Sequence, residues 1–519
     1  MPFNPQNIYC YMFELLIVVS VVVHTVESRR DLDLPPSHIS LTLKRLEGGE
    51  DVAGCWGYED DCDREKAFTK MKCPGEVPMS VRDKKTQENF FFDQADFGFV
   101  RQQIREQSLM CEPMFRDDSS LECSKYLRFC NGRNILVDFR RLSNRQDPVR
   151  YHMDVLGLGE IAGYCKLHEK RFRDEISHVS ALQSWAPELR FFTELPHRPM
   201  ESGLCDVIIE KPTIFMKIDA TINMYHHFCD FFNLYASLHV NSSSGTGYNP
   251  FQKDVHILIW ETYKYMSPFG ETFEAFTENP LWDLNTFKGK RVCFKNLMLP
   301  LLPRMIFGLF YNTPIIAGCE KSGLFRAFSE FILHRLNIQI YRRTSSKIRI
   351  TFLSRGTKYR RAINEAELLD RLRESDRFEV QDIVYSSKMR FREQLEITRN
   401  TDLLIGMHGA GLTHLLFLPN WASVFELYNC EDTTCYSDLT RLRGLHYVTW
   451  EDNNLLQPED NDGTNNENQA NAKFINYFFD PEEFLRLVDK AADHVTNHPE
   501  FQESQQRFLE ETLRDRDEL

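Results

Sequence analysis

No apolar stretch near the start of this 519-residue chain approaches the roughly 20 residues a membrane-spanning helix needs; the run at 15–23 has nine. An excess of positive charge is also missing, since Lys and Arg total 62 against 76 Asp and Glu, a formal charge of −14. That balance excludes a nucleic-acid surface as the main interface and makes any anion pocket a local feature. No cysteine pair has zinc-finger spacing with matching histidines, so a structural metal is not expected. Internal repeats are absent. What remains is an ordinary globular composition, and the length exceeds one core, so two domains behind an N-terminal elaboration are expected.

The ends of the chain read as addresses. The apolar run 15–23 is followed by Val26, Glu27 and Ser28, a signal-peptide pattern that assigns 1–28 to a leader. The segment ahead of the run lacks Lys and Arg and carries Glu14, so an uncleaved anchor is the alternative. The chain stops at Arg516, Asp517, Glu518 and Leu519, close to the KDEL-type retrieval tetrapeptide, which implies a retrieval receptor and the endoplasmic reticulum lumen. Removing Cys10 with the leader leaves 13 of the 14 cysteines, an odd count that requires at least one free or intermolecular thiol. Eight of them fall between Cys55 and Cys205, as a disulfide-stapled region in an oxidising compartment would have, and Cys430 and Cys435 are close enough for a local bridge. Asn241 opens a glycosylation sequon in an expected surface loop.

Residues 29–204 are rich in cysteine, charge and aromatics with few periodic runs and read as an irregular region packed on the rest of the chain. From 205 the pattern becomes α/β: strands over 207–210, 213–217 and 255–260, a helix over 223–240, and further elements to 340. The polar stretch 341–347 reads as a hinge. Beyond it strands over 348–353, 378–384, 402–405 and 424–427 alternate with helices over 365–373, 391–398 and 412–417, a parallel doubly wound sheet. The Asn- and Asp-rich segment 451–471 reads as a mobile loop and 481–494 as a last helix. The domains are thus 205–340 and 341–519, two α/β units facing a cleft.

One loop organises the C-terminal unit. In LLIGMHGAGLTHLLFLP, residues 403–419, a strand meets glycines and then a helix opening near Ala410, so free N–H groups would face an anion. Gly406, Gly409 and Gly411 allow a close backbone approach, and His408 between them is placed to donate to a phosphate. A tight turn without a ligand is the competing reading. Arg355 ends the strand 348–353 and reaches the same rim as a guanidinium fork; Glu426 closes the next strand, where a carboxylate can hold ribose hydroxyls. The glycine order G-x-x-G-x-G after the third strand disfavours a nicotinamide enzyme.

The second concentration of titratable groups is His226, His227 and Asp230, on the predicted helix 223–240. His227 and Asp230 are three apart and share a face, so one can orient or charge the other, while His226 points elsewhere. A solvated polar face is the competing reading, and two adjacent histidines do not converge on one metal ion from a regular helix. The D-x-D spellings at 31/33, 61/63, 460/462 and 515/517 follow no strand inside either α/β unit, so the fold itself requires no cofactor, and a divalent cation such as manganese assisting a nucleotide sugar stays the alternative without a well-placed D-x-D.

MYHHFCDFFNLY, CDVIIEKPTIFMK, RVCFKNLMLPLLPRM, GLFRAF, IGMHGAGLTHLLFLP and VFELYNCED resemble the family of EGF domain-specific O-linked N-acetylglucosamine transferases from about Cys55 to the end of the chain. The resemblance implies an inverting glycosyltransferase of GT-B type, with two Rossmann-like domains, that moves GlcNAc from UDP-GlcNAc to Ser or Thr of folded EGF-like repeats such as those of Notch receptors. Members can carry D-Y-D after A-F-T, whereas here Ala275, Phe276 and Thr277 precede Glu278, Asn279 and Pro280, leaving one carboxylate for a metal or activity motif. Arg355, His408, Gly409, Gly411 and Glu426 then line the nucleotide-sugar site, with Asp230 or His227 as base and His226 positional. A lectin or chaperone of the endoplasmic reticulum that keeps the fold without the chemistry is the alternative.

Overall fold

Helix Glu365–Arg373 illustrates why the C-terminal half folds as its pattern dictates. Glu365 and Glu367 occupy its first turn and Arg371 and Arg373 its last, complementing the helix dipole, while Leu368, Leu369 and Leu372 are buried on one face. The computed structural model describes residues 32–47, 54–144, 149–152, 155–176, 180–241, 248–305, 308–310, 318–427, 434–459 and 475–517. Five strands form one parallel sheet in the spatial order Phe378–Ile383, Ile348–Leu353, Leu403–Met407, Ser423–Leu427, His446–Thr449. Numbered along the chain this is 2-1-3-4-5, a doubly wound order whose switch point lies between the Ile348–Leu353 and Leu403–Met407 strands. Where an α-helix is expected at 412–417, a 3₁₀ helix, Ala410–Phe417, forms instead.

The front of the chain is more regular than its sequence suggests. Strands Ser108–Glu112, Ser120–Cys123 and Cys130–Asp138 belong to an eleven-stranded mixed sheet that also contains Thr213–Met216, His256–Ile259 and Arg291–Leu299. Cys130–Asp138 pairs antiparallel with Arg291–Leu299 along its whole length, so one sheet runs across the expected boundary at 204/205. The 213–216, 256–259 and 291–299 strands are mutually parallel. Of the disulfides, Cys55–Cys62, Cys111–Cys165 and Cys123–Cys130 lie within the cysteine-rich region, Cys205–Cys293 lies within the α/β unit that begins at 205, and Cys73–Cys319 ties the two together. Cys229 is buried, its Sγ donating to the Tyr225 carbonyl at 3.2 Å. The leader 1–28, Cys430, Glu518 and Leu519, and most of the Asn- and Asp-rich segment lie outside the described residues, as does the side chain of Cys435.

The stretch 341–347 is strapped down rather than loose. Arg343 is buried and forks onto the buried Asp402 at 3.1 and 3.0 Å, with Arg349 joining at 3.0 Å. Nor do the two halves have separate cores: Phe228 contacts Phe391 and Phe417 with ring centroids 5.6 and 5.5 Å apart, and Phe269 meets Phe391 at 5.4 Å. One apolar cluster therefore runs from the first sheet onto one face of the second, and a separate cluster under helix Pro481–Asn497 covers the other face. A stiff junction fixes how the two strand-end rims face each other.

Candidate active site

The switch point of the parallel sheet brings Arg355 and His408 together. Arg355 follows the first strand, and its Nη1 donates to the His408 carbonyl at 2.8 Å. Gly409 is required here: its φ of 153° lies outside the range of L side chains, and a Cβ would sit 2.7 Å from Arg355 Nη1. At Gly411 a Cβ would meet Leu353 Cδ2 at 2.8 Å, so a side chain there would displace the end of Leu353. Burial, and then the neighbouring Arg360 guanidinium, push Arg355 down to about 10. Arg360 Nη1 approaches the same carbonyl at 3.5 Å.

Glu426 has a different task from the one its position suggested. Its side chain is almost fully buried; Oε1 lies 2.5 Å from His408 Nδ1, and Oε2 accepts from the Tyr447 hydroxyl at 2.7 Å. A carboxylate that holds ribose hydroxyls has to turn an oxygen to the cleft, and both oxygens here face side chains. Glu426 thus orients the His408 ring, as a carboxylate behind a functional histidine commonly does.

On the other wall, helix Met224–Asn241 is buried nearly all round. All its residues are buried except Tyr225 and His226. His227 and Asp230 do pair, Nδ1 to Oδ2 at 2.9 Å, but on the buried side: His227 Nε2 contacts the Tyr265 hydroxyl at 2.7 Å, and the Asp230 oxygens accept the Asp219 amide at 3.1 and 3.2 Å. Both side chains have no exposed surface. Desolvation holds the His227 imidazole down to about 3, the opposite of the raised basicity expected from a neighbouring carboxylate, because burial outweighs the charge. An acceptor hydroxyl cannot reach either group.

His226, expected to be positional, is the histidine at the cleft, with 26 % of its side chain exposed. Its Nδ1 lies 3.0 Å from Asp219 Oδ2, the oxygen that also accepts from Arg304 Nε at 2.9 Å. Burial pushes the Asp219 carboxyl up, but His226 and Arg304 together outweigh it and hold the group below the usual carboxylate range. A carboxylate anchored in this way fixes the tautomer with the proton on Nδ1 and the lone pair on Nε2. Sequence reasoning missed Asp219, although it follows strand Thr213–Met216 at a C-terminal rim, the signal used for Arg355. It also missed Tyr436: this ring meets His408 at 5.3 Å and Tyr225 at 5.8 Å, so the glycine loop and the histidine helix face each other across two tyrosines.

Other expected sites fare differently. Asn241 is 1 % exposed and its amide donates to the Tyr248 hydroxyl at 2.7 Å, which leaves no room for a glycan. Glu278 is exposed, its amide bonded to the Lys253 carbonyl. Arg516 and Asp517 end helix Pro499–Asp517. Among the described residues, the grouping with three metal-type ligands is Cys55, Glu59 and Cys62, whose sulfurs form a disulfide.

The buried histidines make stability pH-dependent. His227 is held to about 3 and the fully buried His414 to about 4, against about 6.5 in an unfolded chain. Between those values the unfolded chain binds protons that the folded chain refuses, so their contribution is complete above pH 6.5 and is lost on acidification, by about 1.4 kcal/mol per pH unit and group. Asp96, raised to about 6 by burial, acts in the opposite sense and offsets one of the two. Thermal unfolding from pH 7 to 4.5 should show a steadily falling midpoint, and His414→Gln should flatten the slope.

The model of the family described as Glycosyltransferase 61 matches residues 224–425, from the first residue of the histidine helix to the strand that carries Glu426. A Drosophila melanogaster protein named EGF domain-specific O-linked N-acetylglucosamine transferase is 59 % identical over 450 residues, covering 86 % of this chain and 85 % of that protein. Proteins of the same name from Pan troglodytes and Gallus gallus are each 48 % identical, over 87 % and 86 % of this chain and 84 % and 82 % of their own lengths. With identity this high over most of both lengths, and with His226, Arg355 and His408 inside the matched region, the chain belongs to the family of EGF domain-specific O-linked N-acetylglucosamine transferases.

Proposed function

We propose that the protein transfers N-acetylglucosamine from UDP-GlcNAc to Ser or Thr hydroxyls of folded EGF-like repeats, Notch-like receptors among them, with inversion at the anomeric carbon. The observation that carries this reading is the facing of two sites across Tyr225 and Tyr436: beside a glycine loop on one wall, a guanidinium with no carboxylate partner among the described residues, and on the other a carboxylate-anchored histidine. The two parallel-strand rims support the reading of a GT-B arrangement in which the C-terminal unit, about 341–519, takes the nucleotide and the preceding unit the acceptor. Inversion needs a base on the side opposite the leaving group. His226 Nε2 takes the acceptor proton; Arg355, His408 and the amides opening at Ala410 receive the diphosphate. Ile222 and Met266 are 81 % and 74 % exposed at the rim beside His226, joined through the Ser267 hydroxyl on the Thr221 carbonyl, and offer apolar surface to a protein acceptor.

Mixing the protein with UDP-GlcNAc and a folded EGF-like repeat tests the reading. UDP release with a mass gain of one N-acetylhexosamine on the repeat is expected. Binding of the repeat without either product would instead support a lectin or chaperone.

The leader pattern and the terminal RDEL support residence in the endoplasmic reticulum lumen, with a retrieval receptor as partner. A chain lacking Asp517, Glu518 and Leu519 should appear in the medium of expressing cells while the full chain stays inside. Complete intracellular retention of the folded truncation would refute the address.

A further inference from the structure

We infer that Arg360 is a second catalytic cation for this reaction, acting with Arg355 on the leaving diphosphate. The inference rests on the nucleotide-sugar reading of the cleft and adds a residue to it.

Arg355 and Arg360 aim their Nη1 atoms at one acceptor, the His408 carbonyl, at 2.8 and 3.5 Å. Among the described residues no carboxylate forms an ion pair with either, and the two guanidiniums repel each other. Two guanidiniums held on one acceptor repel each other until an anion joins them. The contact of Arg360 is the longer of the two, so it gives up least on turning to a phosphate.

The backbone of Arg360 is built to place it. Its φ is 59°, in the left-handed region that a non-glycine residue rarely occupies. The kink is held from both sides by one buried amide: Asn476 Nδ2 donates to the Lys358 carbonyl at 3.2 Å, and its Oδ1 accepts the Arg361 amide at 2.9 Å. Ala362 then bridges to Tyr477, and the Tyr477 amide donates back to the Arg361 carbonyl. A merely solvated surface arginine needs no such clamp. Strained backbone that its surroundings over-determine clusters at ligand sites.

In the transfer step the acceptor oxygen forms its bond to the anomeric carbon. The bond from that carbon to the β-phosphate oxygen breaks with its electron pair, and the hydroxyl proton passes to His226. Negative charge therefore grows on the UDP oxygen in the transition state, where a second guanidinium lowers the barrier more than it strengthens ground-state binding.

The test compares wild type with Arg360→Gln, Arg360→Lys and Arg360→Gly in steady-state transfer from UDP-GlcNAc to a folded EGF-like repeat, with the thermal midpoint of each variant. Arg360→Gln should lower kcat by about tenfold or more, and Arg360→Lys by less, since it keeps the charge and loses the fork. Arg360→Gly should lose kcat as the Gln variant does without a lower thermal midpoint, because glycine adopts this φ freely. A role confined to loop structure predicts the reverse for glycine: retained kcat. Gln or Gly variants turning over within about twofold of wild type overturn the inference. A wild-type protein that transfers no sugar overturns the nucleotide-sugar reading itself, and the assignment of Arg360 with it.

Discussion

Alanine in place of His226 should lower the transfer rate by about a hundred- to ten-thousandfold, the range over which a positioned general base contributes, while UDP affinity stays near wild type. The expectation rests on where the proton has to go. Within the His226, His227 and Asp230 cluster, only His226 is open to the cleft, and its Nδ1 is anchored by Asp219 at 3.0 Å. Asp219→Asn should give a loss of similar kind, because an amide can present its N–H to Nδ1 and reverse the tautomer, removing the lone pair from Nε2. His227 provides the contrast. Buried between Asp230 and Tyr265, it should respond to alanine with a lower thermal midpoint, since an unmade buried hydrogen bond costs about 1–3 kcal/mol, and with near-normal turnover in the fraction that folds. Transfer assays with a folded EGF-like repeat and calorimetry with UDP separate these outcomes. Near-normal turnover in His226→Ala would place the base elsewhere.

Arg355→Gln should weaken UDP binding by about ten- to a hundredfold, corresponding to about 1.5–3 kcal/mol for a charge-assisted contact. Two circumstances favour the upper part of that range. The group is half-buried and already pushed down to about 10, so an incoming diphosphate meets a poorly solvated charge. It also packs on Gly409, where the loop approaches too closely for a Cβ. The His408 carbonyl loses a donor in the same variant, so the thermal midpoint has to be measured beside the affinity. A folded Arg355→Gln protein with unchanged UDP affinity would remove Arg355 from the site.

Arg355→Gln and His226→Ala probe opposite walls, and the stiff junction makes their effects distinct. Because Phe228, Phe269, Phe391 and Phe417 form one aromatic core between the two sheets, a loss at one rim need not propagate by loosening a hinge. Effects on UDP affinity and on turnover should therefore separate cleanly between the two variants.

The C-terminal sheet and the rim that joins Arg355 to the glycine loop were legible in the amino-acid order alone. Its strands and helices carry local signals in period, capping and charge, and a strand-end arginine and a glycine-rich turn on neighbouring strands share one rim, so the meeting of Arg355 with the His408–Gly409 loop could be read from the order of residues. The i, i+3 pairing of His227 with Asp230 was legible for the same reason, being a property of one helix. Which side of that helix faces the cleft was not. A buried helix whose polar residues are spread round it has no amphipathic stripe to orient it, and only its packing against Phe273, Phe328 and Phe391 shows that His226 stays outside while His227 is enclosed. Contacts between residues distant in sequence likewise came only with the folded chain: Glu426 turned onto His408 and Tyr447, the cysteine-rich region joined to the first sheet through Cys130–Asp138, and Arg360 clamped by an asparagine 116 positions later. Local propensity records what a segment can become, whereas burial and long-range pairing decide which of its side chains meet the ligand.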